Sequence, residues 1–265
     1  RGGSRAITDA LARMVTSLGG TIAVGHEVRS LAELPAARAY LFDTSPRQLA
    51  AIAGDRLPAR YRARLANFRH APGVFKIDWA LAGPVPWRDP ACLRAPTVHL
   101  AGTLDDLVAA EAATFAGRIA ERPFTLFVQP TLFDPTRAPP GKHVAWAYCH
   151  VPAGSTADAT ALIEAQIERF APGFRDLVLA RATMNCTALE AYNANYIGGD
   201  ITGGFSDVTQ LLFRPVVRAD PYATPARDIY LCSASTPPGA GVHGMCGYWA
   251  ARSALRRVFD KEPPH

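Results

Sequence analysis

Apolar residues recur every three or four positions at Ala6, Ile7, Ala10, Leu11, Met14, Val15 and Leu18, which predicts an amphipathic helix. Ser4 is placed to cap it and Gly19-Gly20 to end it. Residues 21–28 and 38–42 then read as short strands. Pro46 suits the first turn of a helix that runs to about Ala53 and stops at Gly54, and Pro58 begins an arginine-rich second helix. From Gly73 the period becomes two. Phe75, Ile77, Trp79 and Leu81 fall on one face of a strand, with Val74, Lys76, Asp78 and Ala80 on the other. Further strands are predicted at 97–100, 124–129 and 143–150, the last with Val144, Trp146 and Tyr148 on one face. Thr103-Leu-Asp-Asp106 resembles a capping box and opens a helix, and a further amphipathic helix spans about 157–170. Strands do not alternate regularly with helices. The expected fold class is therefore α+β, with a mostly antiparallel sheet rather than repeated βαβ units.

The last third has a different texture. A glycine-rich stretch, residues 196–204, precedes Leu211-Leu-Phe-Arg-Pro215; an apolar strand at 229–233 runs into a long glycine-rich loop and a final helix ending near Phe259. Gly239-Ala-Gly-Val-His-Gly244 formally matches GxGxxG between a strand and a helix. A complete dinucleotide-binding unit built here would need a second parallel strand ending in an acidic residue roughly twenty positions on. Residues 248–265 read as helix, so that unit is excluded. What survives is a glycine loop at a helix N-terminus, able to face a ligand oxygen or to serve only as a tight packing turn.

With 265 residues, 49% hydrophobic and 19% charged, the chain can bury a core without staples and is not disordered. The net charge of +5 is mild and its basic residues are dispersed, which argues against a nucleic-acid partner. Cys92, Cys149, Cys186, Cys232 and Cys246 are odd in number and scattered, pointing to reduced thiols in a cytoplasmic setting. Neither they nor the histidines have metal-ligand spacing, so no metal site is expected. The opening residues do not read as a secretory leader, and none is expected. Residues 229–251 lack charge and are long enough to span a bilayer, but Pro237-Pro238, four glycines and His243 argue against it.

The stretch IYLCSASTPPGAGVHGMCGYWAA at 229–251 resembles the C-terminal signature of phytoene-dehydrogenase-like flavoproteins, the group of carotenoid desaturases, carotenoid isomerases and retinol saturases. Leu211-Leu-Phe-Arg-Pro215, Gly198-Gly-Asp200, Gly2-Gly3 and Gly20-Thr-Ile-Ala-Val-Gly-His-Glu-Val28 also resemble family counterparts in order. The family opens with a strand, a GxGxxG loop and an acidic residue that hold the ADP part of FAD, and nothing here matches that unit. The resemblance therefore implies the C-terminal portion of such an enzyme, with the N-terminal dinucleotide-binding βαβ missing and supplied by a partner half. Residues 1–45 and 195–265 would be the remnant of the FAD-binding, Rossmann-type domain, and 46–194 the substrate-binding domain.

The same resemblance implies cofactor contacts for Val28 through its backbone near adenine, for Ser235 near the ribityl or pyrophosphate chain, and for Gly241, Val242, His243 and Gly244 near the flavin pyrimidine edge. A core valine, a turn serine and a merely packed histidine are the plain alternatives. Lys76 and Asp78 either line a substrate cavity or belong to a solvated sheet face. The implied reaction is hydride transfer between a lipophilic, polyene-type substrate and flavin, where the cofactor carries the chemistry. The alternative is a non-catalytic lipid-binding or assembly subunit. Peripheral membrane contact and self-association stay open, and this chain alone is expected to be inactive and without FAD.

Overall fold

The computed structural model describes residues 1–261; the last positions of the expected C-terminal helical stretch, 262–265, lie outside the described residues. The chain begins with α1 (Ser4–Ser17), β1 (Tyr40–Phe42), α2 (Pro46–Ala53), α3 (Ala59–Ala66) and β2 (Gly73–Leu81). Next come β3 (Thr97–Leu100), α4 (Leu104–Phe115), β4 (Thr125–Val128), β5 (His143–Val151) and α5 (Thr160–Phe170). It closes with β6 (Val178–Met184), α6 (Cys186–Tyr192), α7 (Val208–Phe213), β7 (Ile229–Leu231) and α8 (Met245–Phe259). These elements form two compact units, Arg1–His26 with Pro72–Ala188, and Glu27–Ala71 with Leu189–His265.

The first unit is built on a five-stranded sheet of order β3-β4-β5-β2-β6, antiparallel throughout. The period-two pattern of β2 does what it predicts. Phe75, Ile77, Trp79 and Leu81 are buried, while Lys76 and Asp78 are half-buried on the opposite face. On β5 the buried face carries small residues, Ala145, Ala147 and Cys149, and large side chains of β2 and of α5 (Ile163, Ile167) fill the space they leave. Each fully buried Ile or Leu here contributes about 1.5–3 kcal/mol. Trp79 sits edge-on to Phe174 at 5.3 Å, and its indole N–H donates to the buried Glu164 at 3.0 Å. Glu164 also accepts from Arg181 at 2.9 Å, so the charge brought into the core is paired. The capping box of α4 forms as the spacing predicts: the Thr103 hydroxyl accepts from Asp106 N, and the Asp106 carboxylate accepts from Thr103 N.

The second unit holds a two-stranded parallel sheet, β1 with β7, in the register Tyr40↔Ile229 and Phe42↔Leu231. Leu49, Ala53, Leu57, Tyr61 and Leu65 from α2, α3 and their connection pack against it. Ser45 caps α2 by accepting from Gln48 N, with Pro46 at the first helical position.

Two expectations are corrected. Residues 21–28 form no strand; Ile22 and Val24 are exposed, and no neighbouring backbone pairs with them. Gly3, not Ser4, is the N-cap of α1, and no side chain caps that helix. β6 and α6 were not legible beforehand. β6 is an edge strand exposed along most of its length, and although Ala180-Arg-Ala-Thr-Met184 alternates, its small apolar side chains bury little and make only a weak strand signal. Among the described residues no helix is long and apolar enough to cross a membrane.

Candidate functional site

Because β1 and β7 run parallel, both deliver their following loops to the same carboxyl edge, where open α/β sheets carry ligands. The loop after β1 contributes Asp43, Thr44 and Ser45. The loop after β7 runs from Cys232 to Gly244 and ends at the amino end of α8. A third loop, the glycine-rich 193–204, closes the group. Ser45 N donates to Asn195 Oδ1 at 2.7 Å, and Gln48 Nε2 donates to Ala194 O at 3.0 Å. Two adjoining clefts result. One of about 400 Å³ lies among Asp43, Ser45, Asn195, Tyr196, Gly203 and Val242. The other, about 350 Å³, lies among Asp43, Cys232, Gly241, His243, Cys246 and Gly247.

The first turn of α8 borders the second cleft. His243 Nδ1 accepts the Met245 N–H at 3.0 Å, so the neutral imidazole carries its proton on Nε2. The N–H groups of Cys246 and Gly247 have no acceptor among the described residues. A Cβ placed on Gly247 would meet nothing within 4 Å, so space is open beside this turn. Unsatisfied N–H groups and the positive end of the helix dipole together favour a ligand atom bearing negative charge. Gly241, on the wall of both clefts, has φ 152, and a Cβ there would come within 2.6 Å of His243 Cδ2. Glycine is what keeps the ring and the crest of the loop in place. Val242, at that crest, is 98% exposed. Asp43 lies on the wall shared by the clefts and accepts no hydrogen bond from the described residues. Partial desolvation there pushes its carboxyl above the usual range.

Beneath the loops lies a buried polar support. Asp200, fully buried, accepts from Thr202 N and Thr202 Oγ1, each at 2.7 Å, from Ala71 N at 3.0 Å and from His70 Nδ1 at 3.3 Å. Burial raises its carboxyl, but these donors outweigh it and hold it below the ordinary value. Arg214, 3% exposed, donates to Gly203 O at 3.1 Å and lies over the Phe68 ring. Desolvation lowers its pKa and the Asp200 charge opposes that shift. A Cβ on Gly239 would meet Arg214 Nη1 at 2.7 Å, so the loop rests directly on the guanidinium.

Of the residues singled out in the sequence, Gly241, Val242, His243 and Gly244 are adjacent at the mouth of these clefts. Ser235 borders the first cleft but is 1% exposed, and its hydroxyl donates to Gly203 O at 2.9 Å, tying two loops together. Val28 is half-buried, borders neither cleft and follows an extended exposed segment. Lys76 and Asp78 belong to the first unit, where they are ion-paired to each other on the open face of β2. Opposite them on β5 stand Tyr148 and Trp146, stacked at 6.4 Å with an interplanar angle of 15°, and Lys76 Nζ lies 5.7 Å from the Trp146 centroid. Their surroundings are thus aromatic rather than a simple solvated face. Sequence reasoning missed Asp43, His70 and Arg214. Asp43 carried one usable signal, a carboxylate directly after an apolar strand. Arg214 lay within the Leu211–Pro215 stretch already noted as resembling a family counterpart, while His70 carried no signal, because its partner is distant along the chain.

No protein-family model matches the chain. It is similar to the pyridine nucleotide-disulfide oxidoreductase domain-containing protein 2 of Mus musculus, at 29% identity over 262 residues, covering 90% of this chain and 44% of that protein. The Rattus norvegicus counterpart is 28% identical over 302 residues, covering 97% of this chain and 50% of that protein. The chain thus spans about half the length of the curated relatives it matches. Among solved structures, an oxidoreductase from Methanosarcina mazei shares the fold with a TM-score of 0.60 at 18% identity, over 98% of this chain and 55% of that one. A protein from Pyrococcus furiosus does so with a TM-score of 0.56 at 13% identity, over 100% and 54%.

Proposed function

We propose that this chain supplies the loops that hold the isoalloxazine end of FAD, and the substrate-facing sheet, in a flavin-dependent oxidoreductase of the phytoene-dehydrogenase-like group. The observation that carries the reading is the amino end of α8, where two N–H groups without acceptors open onto a cleft walled by Gly241 and His243. Similarity to oxidoreductase domain proteins supports a redox role. The residues fit a flavin, with open space beside the first turn of α8 and a glycine at 241 where a side chain would intrude.

The chemistry that a bound flavin would supply is hydride transfer between itself and a lipophilic, polyene-type substrate. The chain's own residues perform three tasks in this reading. The Cys246 and Gly247 N–H groups, with the α8 dipole, stabilise negative charge on the pyrimidine side. His243 adds its Nε2 proton there and fixes the helix start through Nδ1. Asp43, poised above the usual carboxylate range, offers a hydrogen-bonding group to a hydroxyl or a ring nitrogen. Lys76 and Asp78, with Trp146 and Tyr148, are the substrate-side surface on the first unit's sheet. The adenosine part is assigned to a strand–GxGxxG–helix unit outside these residues, with the Val28 backbone at the adenine edge and Ser235 near the ribityl chain. The exposed apolar residues of α1 (Ile7, Leu11, Met14) and of α7 (Leu211, Leu212) are the faces that such a partner half would cover.

The test is flavin content, by absorbance, in a protein that carries both this chain and an ADP-binding unit, with and without Gly241→Val. The parent retains flavin; the variant, whose branched side chain displaces His243, loses at least about tenfold in affinity, as expected for removal of one anchored charge-stabilising contact. Unchanged flavin affinity in a folded variant refutes the role of this loop.

A further inference from the structure

A further cavity lies away from the loops of the second unit. It lies wholly within the first unit, about 680 Å³, beside the edge strand β3 and the carboxyl end of α5. Its walls include Trp87, Leu100 and Phe170, and Arg88 and Arg169 border it, with His99 at its rim. Arg169 feels the Asp106 carboxylate only at a distance and hydrogen-bonds to the neutral Gln166, so its charge is not closed off by a contact ion pair. The one carboxylate on the wall, Asp89, is engaged locally, accepting from Ala91 N at 2.8 Å.

Two buried glutamines build these walls. Gln166, 1% exposed, accepts from Arg169 at 2.6 Å, while its amide donates to Ala101 O at 2.9 Å and Leu100 O at 3.4 Å. It thereby fixes a cationic side chain against the very strand that lines the cavity, and Arg169 also lies over the Phe170 ring at 5.4 Å. Gln129, 3% exposed, accepts from the Trp87 indole at 3.0 Å and donates to Cys92 O at 2.6 Å and Ala95 O at 2.7 Å, holding the aromatic wall rigid. Burying an amide is unfavourable unless every bond is made, and here each amide makes three. The backbones of the two arginine-bearing segments are tied as well, Arg88 N donating to Phe170 O at 2.9 Å.

A preorganised guanidinium beside flat apolar walls, in a volume typical of small-molecule pockets, selects an anion with an apolar body. We propose that this cavity is a second ligand site, independent of the flavin reading, for a small organic carboxylate carrying a flat apolar group. The carboxylate engages Arg169, with Arg88 adding long-range attraction, and the apolar body lies against Trp87 and Leu100.

Isothermal titration of the 265-residue chain with 3-phenylpropionate, its neutral amide and inorganic phosphate tests this. The carboxylate binds saturably at one site, and the amide and phosphate bind about tenfold or more weakly, the effect of losing either a charge-assisted hydrogen bond or the apolar contact. Arg169→Gln weakens the carboxylate by a similar factor in a variant whose circular dichroism shows it folded, at some cost in Tm because the buried Gln166 Oε1 loses its donor. Gln166→Leu, which leaves the cation but removes its anchor, weakens it less. The proposal is overturned if the amide binds as tightly as the carboxylate, if phosphate alone binds as tightly, if Arg169→Gln has no effect, or if no saturable carboxylate binding occurs.

Discussion

Replacing Asp200 by asparagine is the most direct probe of the polar support beneath the glycine loops. The carboxylate accepts four hydrogen bonds with no exposure to solvent, two at Oδ1 from Thr202 and two at Oδ2 from Ala71 N and His70. Asparagine is isosteric but has one acceptor oxygen. If that oxygen keeps the two 2.7 Å bonds to Thr202, its NH2 group faces the Ala71 N–H, donor against donor, in a site closed to water. An unsatisfied buried donor costs about 1–3 kcal/mol, and loss of charge assistance on the remaining bonds adds roughly 1 kcal/mol. The expected destabilisation is about 3 kcal/mol, which lowers the melting temperature of the second unit by roughly 10 °C. Thermal unfolding by circular dichroism, with denaturant titration at 25 °C, measures it. The pH dependence supplies a second reading. Asp200 has a depressed carboxyl in the folded state, so its contribution is complete above the unfolded value near about 3.9 and vanishes as pH falls through the lower folded value. The gap between parent and variant therefore stays constant from neutral pH down to about pH 4 and closes only below it. A variant that melts within roughly 2 °C of the parent at neutral pH would refute this account of the support.

Two further outcomes follow from the same structure. Burial pushes the Cys232 thiol up to about 12, so at pH 8 its thiolate fraction is roughly three orders of magnitude below that of an ordinary cysteine. Iodoacetamide should label it slowly in the folded protein and readily after denaturation, and labelling at the free-cysteine rate in the folded state contradicts the assigned environment. No side chain of α1 is buried, although Leu11 and Met14 are about 60% exposed on an apolar stripe. Changing both to serine should reduce hydrophobic-dye binding and any self-association while leaving Tm unchanged, and a clear loss of stability would show that the stripe packs within this chain.

What the sequence determined by itself was local. Alternation fixed which face of β2 is buried, because a period of two leaves no choice once Ile77 and Trp79 must leave water. Ser45-Pro46 and Thr103-to-Asp106 set two helix starts through bonds that span only three residues. Gly239-to-Gly244 marked the loop at the amino end of α8, since turn chemistry is written in consecutive positions. Tertiary structure decided the rest. The stretch at 21–28 has strand-like composition but no partner, and a strand without a ladder does not form. β6, by contrast, forms from a short alternation of small apolar and polar residues because β2 offers it a backbone edge. The carboxylate of Asp200 meets His70 across 130 positions, Ser235 reaches Gly203 across 32, and Gln166 reaches Leu100 across 66. Such contacts depend on where the chain returns in space, and side-chain hydrogen bonds have a reach of about 3 Å, so no pattern in consecutive residues can announce them.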